Sequence, residues 1–235
     1  MRFYKIKALI KLGLEDLTKN MSVFVYVLLP IVFALLYSNI DTLPKSFTFS
    51  ICMLMNIAML PVSLMGTIVA EEKEKHTLRT LMLNDVKASE ILFAKASICV
   101  LFVIIDDLII FFFTGLPMEQ FAIYQLIGLF VAVAVILFGA FVGLFAKNQM
   151  SAGLLSMPFM VLFLAPMFTM MVDNKVFSTI TDYIPTAAMM NLFDCVALGS
   201  FDFSSVIKPF AVIAAWLVIS IIMFNIAYKK VGVDN

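Results

Sequence analysis

Two adjacent acids, Asp106 and Asp107, interrupt a long apolar run and are the residues best placed to do chemistry. Lys95 comes eleven residues earlier, so in a helix with a rise of ~1.5 Å per residue Asp106 lies about 16 Å beyond it. A charged side chain at the centre of a bilayer costs roughly 2.5–3.5 kcal/mol on insertion scales. One interpretation is functional: the pair contacts a cationic molecule or a proton. The other is structural: the pair meets water, or it forms hydrogen bonds with Asn56 or Gln125 of neighbouring helices.

A second candidate region is the polar segment 71-EEKEKHTLRTLMLNDVKASE-90, which separates two apolar runs. It opens with five consecutive charged residues and continues with apolar residues at helical spacing. The Asn84-Asp85 pair then signals a turn or the start of a second helix. This pattern predicts an apolar cap on a charged base, a shape suited to docking in a groove of another protein. The alternative is a solvated loop stabilised by its own ion pairs. The residues expected to form the docking surface are Glu72, Glu74, Thr77, Leu78, Leu81, Met82, Asn84 and Asp85.

Other catalytic and metal-binding patterns are missing from the sequence. His76 is the single histidine, so neither an H-E-x-x-H zinc motif nor an intramembrane Ser-His pair can form. The three cysteines form no C-x-x-C pair and are expected to be small buried hydrophobes. The chain also has no G-x-x-x-x-G-K-[ST] motif to hold phosphates. We therefore expect no enzyme activity, bound metal or cofactor in this chain.

The composition indicates the class of protein in which these residues are held. Of the 235 residues, 63% are hydrophobic and 14% are charged, whereas soluble domains have about 45–50% apolar and about 25% charged residues. The basic residues form no dense patch with interleaved aromatics, so no nucleic-acid partner is expected. The sequence predicts an all-α membrane protein in a lipid bilayer, with one transmembrane domain over residues 1–235.

Six apolar runs are long enough to cross a hydrocarbon core ~30 Å thick, which needs about 20 helical residues. They are continuous rather than alternating, which excludes a β-barrel on pattern. Gly139 and Gly143 form a small-xxx-small pair in the fourth run, and Ala211 and Ala215 form another in the sixth, so both predict close helix approach. The predicted spans are Met21–Ile40, Ser46–Ala70, Ile91–Phe113, Gln120–Ala146, Asn148–Val172 and Pro209–Tyr228.

The distribution of lysine and arginine predicts the orientation of these spans. Six spans place both termini and segment 71–90 on one side, which carries thirteen of the sixteen basic residues and is therefore expected to be cytoplasmic. The opposite side holds Lys45, Lys175 and Lys208. The thirteen are Arg2, Lys5, Lys7, Lys11, Lys19, Lys73, Lys75, Arg79, Lys87, Lys95, Lys147, Lys229 and Lys230.

Two further segments are predicted to be helical without crossing the membrane. Residues 1–20 place apolar side chains on one helical face, which predicts an amphipathic helix in the cytoplasmic interface. Residues 173–208, on the external side, are too apolar for a free loop and too interrupted by Asp, Asn and Pro185 for a span. We expect short helices that dip partway into the membrane between the fifth and sixth spans. The alternative for residues 1–20 is a solvated amphipathic end, and the alternative for residues 173–208 is a partly disordered loop.

The order of these features resembles the permease subunits of ABC type-2 exporters. A span is followed by Glu72-Lys73-Glu74, Thr77-Leu78 and Leu81, then by a turn, and then by Glu90-Ile91 and Lys95 leading the next span. His76 stands where the family usually has Gly, and Asn84-Asp85 replaces a Pro-containing turn. The resemblance covers essentially the whole chain.

The resemblance implies that this chain is the membrane subunit of an ATP-driven exporter. Segment 71–90 would be the coupling helix, seated in a cleft of a separate ATPase subunit present in two copies, which binds ATP and Mg²⁺. A second permease copy, identical or similar, would complete the path for a hydrophobic or amphipathic peptide, drug or lipid-like cargo. The expected location is a bacterial plasma membrane. Asp106, Asp107 and Asn56 are the candidate residues of the translocation path.

One alternative comes from a different class of transporter. The chain could be a proton- or ion-coupled secondary transporter in which Asp106 and Asp107 bind the coupling ion, since intramembrane acids are frequent in proton relays. A membrane scaffold that transports nothing is a further alternative. An ATPase that is retained during purification would support the exporter. Flux driven by a proton gradient through the isolated chain would support the secondary transporter.

Overall fold

The computed structural model of the chain describes residues 21–75, 88–169, 174–199 and 202–231. These residues form eight helices and no strand, which confirms the all-α prediction for the described part. The helices are α1 (Met21–Ser38), α2 (Lys45–Glu74), α3 (Ala88–Thr114), α4 (Met118–Phe145), α5 (Gln149–Phe168), α6 (Lys175–Thr181), α7 (Pro185–Leu198) and α8 (Phe203–Val231).

Helix α2 is the centre of the bundle and is buried along nearly its whole length. Helices α1, α3, α4, α5 and α7 all pack against it. The Thr67 hydroxyl on α2 forms its hydrogen bond within the helix, because Thr67 Oγ1 donates to the backbone carbonyl Ser63 O at 2.9 Å. Because the polar side chains from Thr48 to Thr67 are all buried, α2 can position polar groups away from lipid.

A seam of glycines brings α2 and α4 into backbone contact. A Cβ added at Gly139 would lie 2.7 Å from Val62 O, and one added at Gly143 would lie 2.6 Å from Val69 Cβ and 2.7 Å from Gly66 O. Only glycine fits at these distances, so the prediction of close approach at Gly139 and Gly143 is confirmed. Ala211 and Ala215 differ, because both are exposed on α8 and meet no comparable seam in the described chain.

Five of the helices are long and apolar enough to cross a membrane. They are α2, α3, α4, α5 and α8, and they correspond to five of the six predicted spans. The remaining predicted span, Met21–Ile40, corresponds to α1, whose described apolar part Phe24–Ser38 is shorter. Five spans thus meet the length criterion among the described residues.

Local signals explain where several helices start and stop. Asn148 caps α5 by accepting from Ser151 N at 2.8 Å, and the Ser151 hydroxyl accepts from Asn148 N at 3.0 Å. Pro185 opens α7, where its missing N–H costs nothing. Gly199 ends α7 with φ +63°, a left-handed conformation that favours glycine. The short helices expected within 173–208 are thus present as α6 and α7.

Polar contacts join the α6–α7 region to the rest of the bundle. Thr186 Oγ1 donates to Phe163 O of α5 at 2.6 Å, and Trp216 Nε1 of α8 donates to Tyr183 O at 2.7 Å. Lys208 forms an exposed ion pair with Asp182 at 3.3 Å. The predicted interfacial helix at 1–20 lies outside the described residues.

Candidate functional site

Five buried polar residues lie at a similar height on three neighbouring helices, and we call this group the polar cluster. Asn56 comes from α2, Asp106 and Asp107 from α3, and Tyr124 and Gln125 from α4. At ~1.5 Å per residue, Asp107 lies about 10 Å before the end of α3 and Gln125 about 10 Å after the start of α4. The two helices are antiparallel neighbours joined by a turn at Gly115, so these positions lie at the same height.

Asp107 is held by two carboxamides, one on each side. Asn56 Nδ2 donates to Asp107 Oδ1 at 2.7 Å, and Gln125 Nε2 donates to Asp107 Oδ2 at 3.0 Å. Asn56 Nδ2 also lies 3.5 Å from Val103 O, one turn earlier on α3. The expected contact with Asn56 or Gln125 is confirmed for Asp107, which contacts both. Hydrogen bonds of this kind suit a carboxylate, which accepts at both oxygens.

Asp106 is in the opposite situation, although it is the next residue. It is 1% exposed, and neither of its carboxyl oxygens has a hydrogen-bond partner among the described residues. The buried acceptors Asn56 Oδ1 and Gln125 Oε1, together with the Tyr124 hydroxyl, are also without partners in that part of the chain. Buried polar groups are normally paired, so this concentration marks the polar cluster as a candidate binding site.

The charged end of α2 forms a second group, which we call the α2-end contacts. Glu72 pairs with Lys95 of α3 at 2.8 Å, and their side chains are only 12% and 6% exposed. Lys73 Nζ donates to Leu144 O at 2.7 Å and to Ala146 O at 3.3 Å, at the carboxyl end of α4. Cations are favourable at that end of a helix because its last carbonyls carry partial negative charge.

The same run of charges also reaches α5. Glu74 Oε2 accepts from Gln149 N at 3.2 Å, in the first turn of α5, where backbone N–H groups point outward. Glu71 pairs with Lys75 along α2 itself. Glu72, Lys73 and Glu74 therefore attach the end of α2 to three different helices.

Among the residues predicted to contact an ATPase, the structure describes Glu72 and Glu74 only. Both are directed at the bundle, where they fix the end of α2. Thr77, Leu78, Leu81, Met82, Asn84 and Asp85 lie outside the described residues, as does His76. The docking surface stays a prediction.

Comparison with known families identifies the class of the chain. A model described as "ABC-2 family transporter protein" matches residues 44–227, well over half of the chain. The chain belongs to the ABC-2 transporter family. A search of curated protein sequences finds no significant match.

Membership of the ABC-2 family confirms the resemblance drawn from segment 71–90. The matched region contains α2 to α7 and most of α8, so both the polar cluster and the α2-end contacts lie within it. The chain is a multi-pass membrane transporter subunit of a family that generally has no enzyme activity of its own.

Sequence reasoning missed two participants in the α2-end contacts. Lys95 was assigned only to a helix end, and Lys73 only to the charged run. Their partners lie 23 residues away for Lys95 and more than 70 residues away for Lys73. The alternating charges in Glu72-Lys73-Glu74 were a usable signal for contacts with several helices. Successive residues on a helix point in different directions, so each of the three can meet a different neighbour.

Proposed function

We propose that this ABC-2 chain is the permease subunit of an ATP-driven exporter and that segment 71–90 couples it to a separate ATPase. The observation that supports this most strongly is the construction of the α2-end contacts. A segment that transmits force needs a rigid base, and Glu72, Lys73 and Glu74 each attach that base to a different helix.

These attachments define how a push on segment 71–90 would spread. A displacement of the end of α2 would act on α3 through Glu72–Lys95, on α4 through Lys73 and on α5 through Glu74. The glycine seam transmits it further, because α2 and α4 touch backbone to backbone and cannot slide independently. Rigid-body tilting of packed helices is an ordinary form of conformational switching.

The assembly proposed around this chain follows the family. Two ATPase subunits bind ATP and Mg²⁺ on the cytoplasmic side, where both termini and segment 71–90 lie, and α1 completes six spans. A second permease copy forms the path together with this one. Helices α5 and α8 keep broad apolar faces exposed, which supply surface for that copy or for lipid.

The cargo is proposed to be hydrophobic or amphipathic. Apolar side chains line a recess of about 480 Å³ on the outer side of α3, at Leu108, Phe112 and Met118 among others. A molecule that partitions into the bilayer could reach such a surface without crossing water. A peptide, drug or lipid-like molecule satisfies this condition.

A secondary transporter remains the alternative, and the polar cluster favours it. A buried, unpartnered acid in a span is typical of coupling-ion sites. The discriminating observation is the energy source. Flux by the purified chain alone under a proton gradient supports the alternative, and flux that requires a co-purified ATPase supports the exporter.

The coupling role is tested by the double substitution Leu78→Asp and Leu81→Asp. Charged residues at the predicted docking surface would prevent burial in an apolar cleft. ATP hydrolysis by the complex, measured in liposomes, should lose its stimulation by the permease while the chain still inserts. The matched control is Leu198→Asp, at a leucine that is exposed at the end of α7. Unchanged stimulation in the double variant would exclude docking through this segment.

A further inference from the structure

We propose that the corner where α3 turns into α4 binds one phospholipid, with an acyl chain in the apolar recess at Phe112 and the phosphate group at Lys45. The recess is the one to which the proposed function assigns the cargo, so the site rests on that proposal for any role in transport. Binding itself can be measured without an ATPase. The shape of the recess, its depth in the membrane and the charge beside it all support this ligand.

The recess is wholly apolar and lies where α3 meets the start of α4. It has a volume of about 480 Å³. Phe112 is 80% exposed and Met118 is 67% exposed, so the rim of the recess is open to the surroundings of the bundle. An acyl chain in a recess contacts protein atoms on several sides, and so gains more dispersion energy than a chain on a flat helix face. The lining residues are Leu108, Ile109, Phe111, Phe112, Phe113 and Met118.

The depth of the recess matches the upper part of an acyl chain. Gly115, in the turn after α3, comes 20 residues after Lys95, which corresponds to about 30 Å of helix and to a hydrocarbon core ~30 Å thick. Lys95 lies at the membrane boundary on the side of segment 71–90, so Gly115 lies at the opposite boundary, at the level of the lipid phosphates. The lining residues of α3 precede Gly115 by two to seven positions, so they lie about 3–10 Å deeper.

Lys45 places a cation at this boundary, directly beside the turn. Its Nζ lies 3.5 Å from Gly115 O, and a Cβ added at Gly115 would lie 3.3 Å from the same nitrogen. Gly115 has φ +62° and no side chain, so it leaves room for the lysine. Lys45 is exposed and forms no ion pair with a described residue, whereas Lys208, predicted on the same side of the membrane, pairs with Asp182. The Lys45 ammonium can therefore donate to a phosphate.

The cation and the recess together favour an amphiphile with an anionic group at its head. Gly115 lies three residues from both Phe112 and Met118, so the cation and the rim of the recess belong to one corner. A free anion would leave the recess unfilled, and an uncharged apolar molecule would leave Lys45 without a partner. Glu119, exposed beside Met118, disfavours a headgroup with further negative charge. A zwitterionic phospholipid, phosphatidylethanolamine, is therefore the suitable probe.

The test titrates the delipidated full-length protein in detergent with dioleoyl phosphatidylethanolamine and counts the bound lipid by native mass spectrometry. One lipid per chain should bind with higher affinity than any other. Lys45→Gln should weaken that binding by about fivefold, as expected for the loss of an exposed ion pair. Lys175→Gln, at an exposed lysine of α6, should leave it unchanged. Dioleoylglycerol, which has the chains but no phosphate, should bind as weakly to the wild-type protein as the phospholipid binds to Lys45→Gln.

A second substitution tests the recess itself. Leu108→Trp fills part of the recess from a position that is 41% exposed, so folding should be little affected. Leu101→Trp is the matched control, because Leu101 lies seven residues earlier on the same face of α3, is 42% exposed and does not line the recess. Leu108→Trp should weaken lipid binding by about fivefold, and Leu101→Trp should leave it unchanged.

Three results would overturn the proposal. Lys45→Gln and Lys175→Gln would bind the phospholipid equally, dioleoylglycerol would bind as tightly as the phospholipid, or Leu108→Trp and Leu101→Trp would behave alike. None of these results touches the exporter function, which depends on the partner ATPase. Conversely, tight lipid binding by a chain whose transport needs no ATPase would keep the site and remove the exporter function.

Discussion

The α2-end contacts and the polar cluster both include residues of α2, yet their charged groups are compensated to different degrees. Near the end of α2, Glu72, Lys73 and Glu74 meet a lysine, two helix carbonyls and a helix N–H group. In its interior, Asn56 helps to satisfy Asp107 but leaves Asp106 unpartnered. Compensated charges build a rigid joint, whereas an uncompensated one is available to a ligand. The difference separates a mechanical region from a binding region.

The first prediction concerns a substitution in the glycine seam, where α2 packs on α4 between the two regions. Gly143→Leu would place a side chain where a Cβ already lies 2.6 Å from Val69 Cβ, so α2 and α4 must separate. We expect a loss of about 3 kcal/mol of stability, seen as aggregation in size-exclusion chromatography. Gly153→Leu is the control, because a Cβ there meets nothing within 4 Å. Equal behaviour of the two variants would contradict the seam.

The second prediction removes one partner of the strongest α2-end contact. Lys95→Met leaves the largely buried Glu72 carboxylate without its lysine, at a cost of about 3 kcal/mol. Adding Glu72→Gln should recover much of that loss, which a double-mutant cycle in detergent unfolding measures. Lys208→Met is the control, since its pair with Asp182 is exposed and is worth less than about 1 kcal/mol. Simple additivity of the two substitutions would show that the pair does not couple α2 to α3.

The third prediction sharpens the description of the polar cluster. Gln125→Leu removes one of the two donors to Asp107, and a hydrogen bond to a charged group is worth about 2 kcal/mol. The unfolding midpoint should therefore fall relative to the wild-type protein. Gln120→Leu, in the first turn of α4, should change little. A stabilised Gln125→Leu variant would mean that Asp107 does not need this amide.

The fourth and smallest effect concerns the contact between α2 and the end of α4. Lys73→Met deletes a cation that caps the carbonyls of Leu144 and Ala146, and we expect a loss of about 1 kcal/mol. Lys230→Met, at an exposed position in the last turn of α8, serves as the comparison. Hydrogen exchange at residues 140–146 should rise in the Lys73 variant alone. No change there would remove α4 from the path of coupling.

Much of the fold was predictable because its signals are local. Continuous apolar runs predicted the five long helices with ends displaced by up to six residues, and Gly139 with Gly143 predicted the close crossing. Contact of the acid pair with Asn56 or Gln125 was one of the alternatives that the sequence left open, and the structure shows both contacts for Asp107. These predictions need only composition and spacing.

Features that depend on which helices become neighbours were not predictable. The pairing of Glu72 with Lys95 and the capping of α4 by Lys73 require the relative rotation of whole helices. The contrast between Asp106 and Asp107 has the same origin, because adjacent residues on a helix point about 100° apart and meet different surroundings. Close approach at Ala211 and Ala215 stays a prediction, because both residues are exposed on α8 in the described chain.

The most direct test of the account is photo-crosslinking from position 78, with a photoreactive residue replacing Leu78 in native membranes. The account predicts a crosslinked product that contains an ATP-hydrolysing polypeptide, identified by mass spectrometry, and its loss when Leu81→Asp is added. The account is contradicted if the probe at position 78 is labelled by a membrane-impermeant reagent from outside the cell, or if its products contain no ATPase.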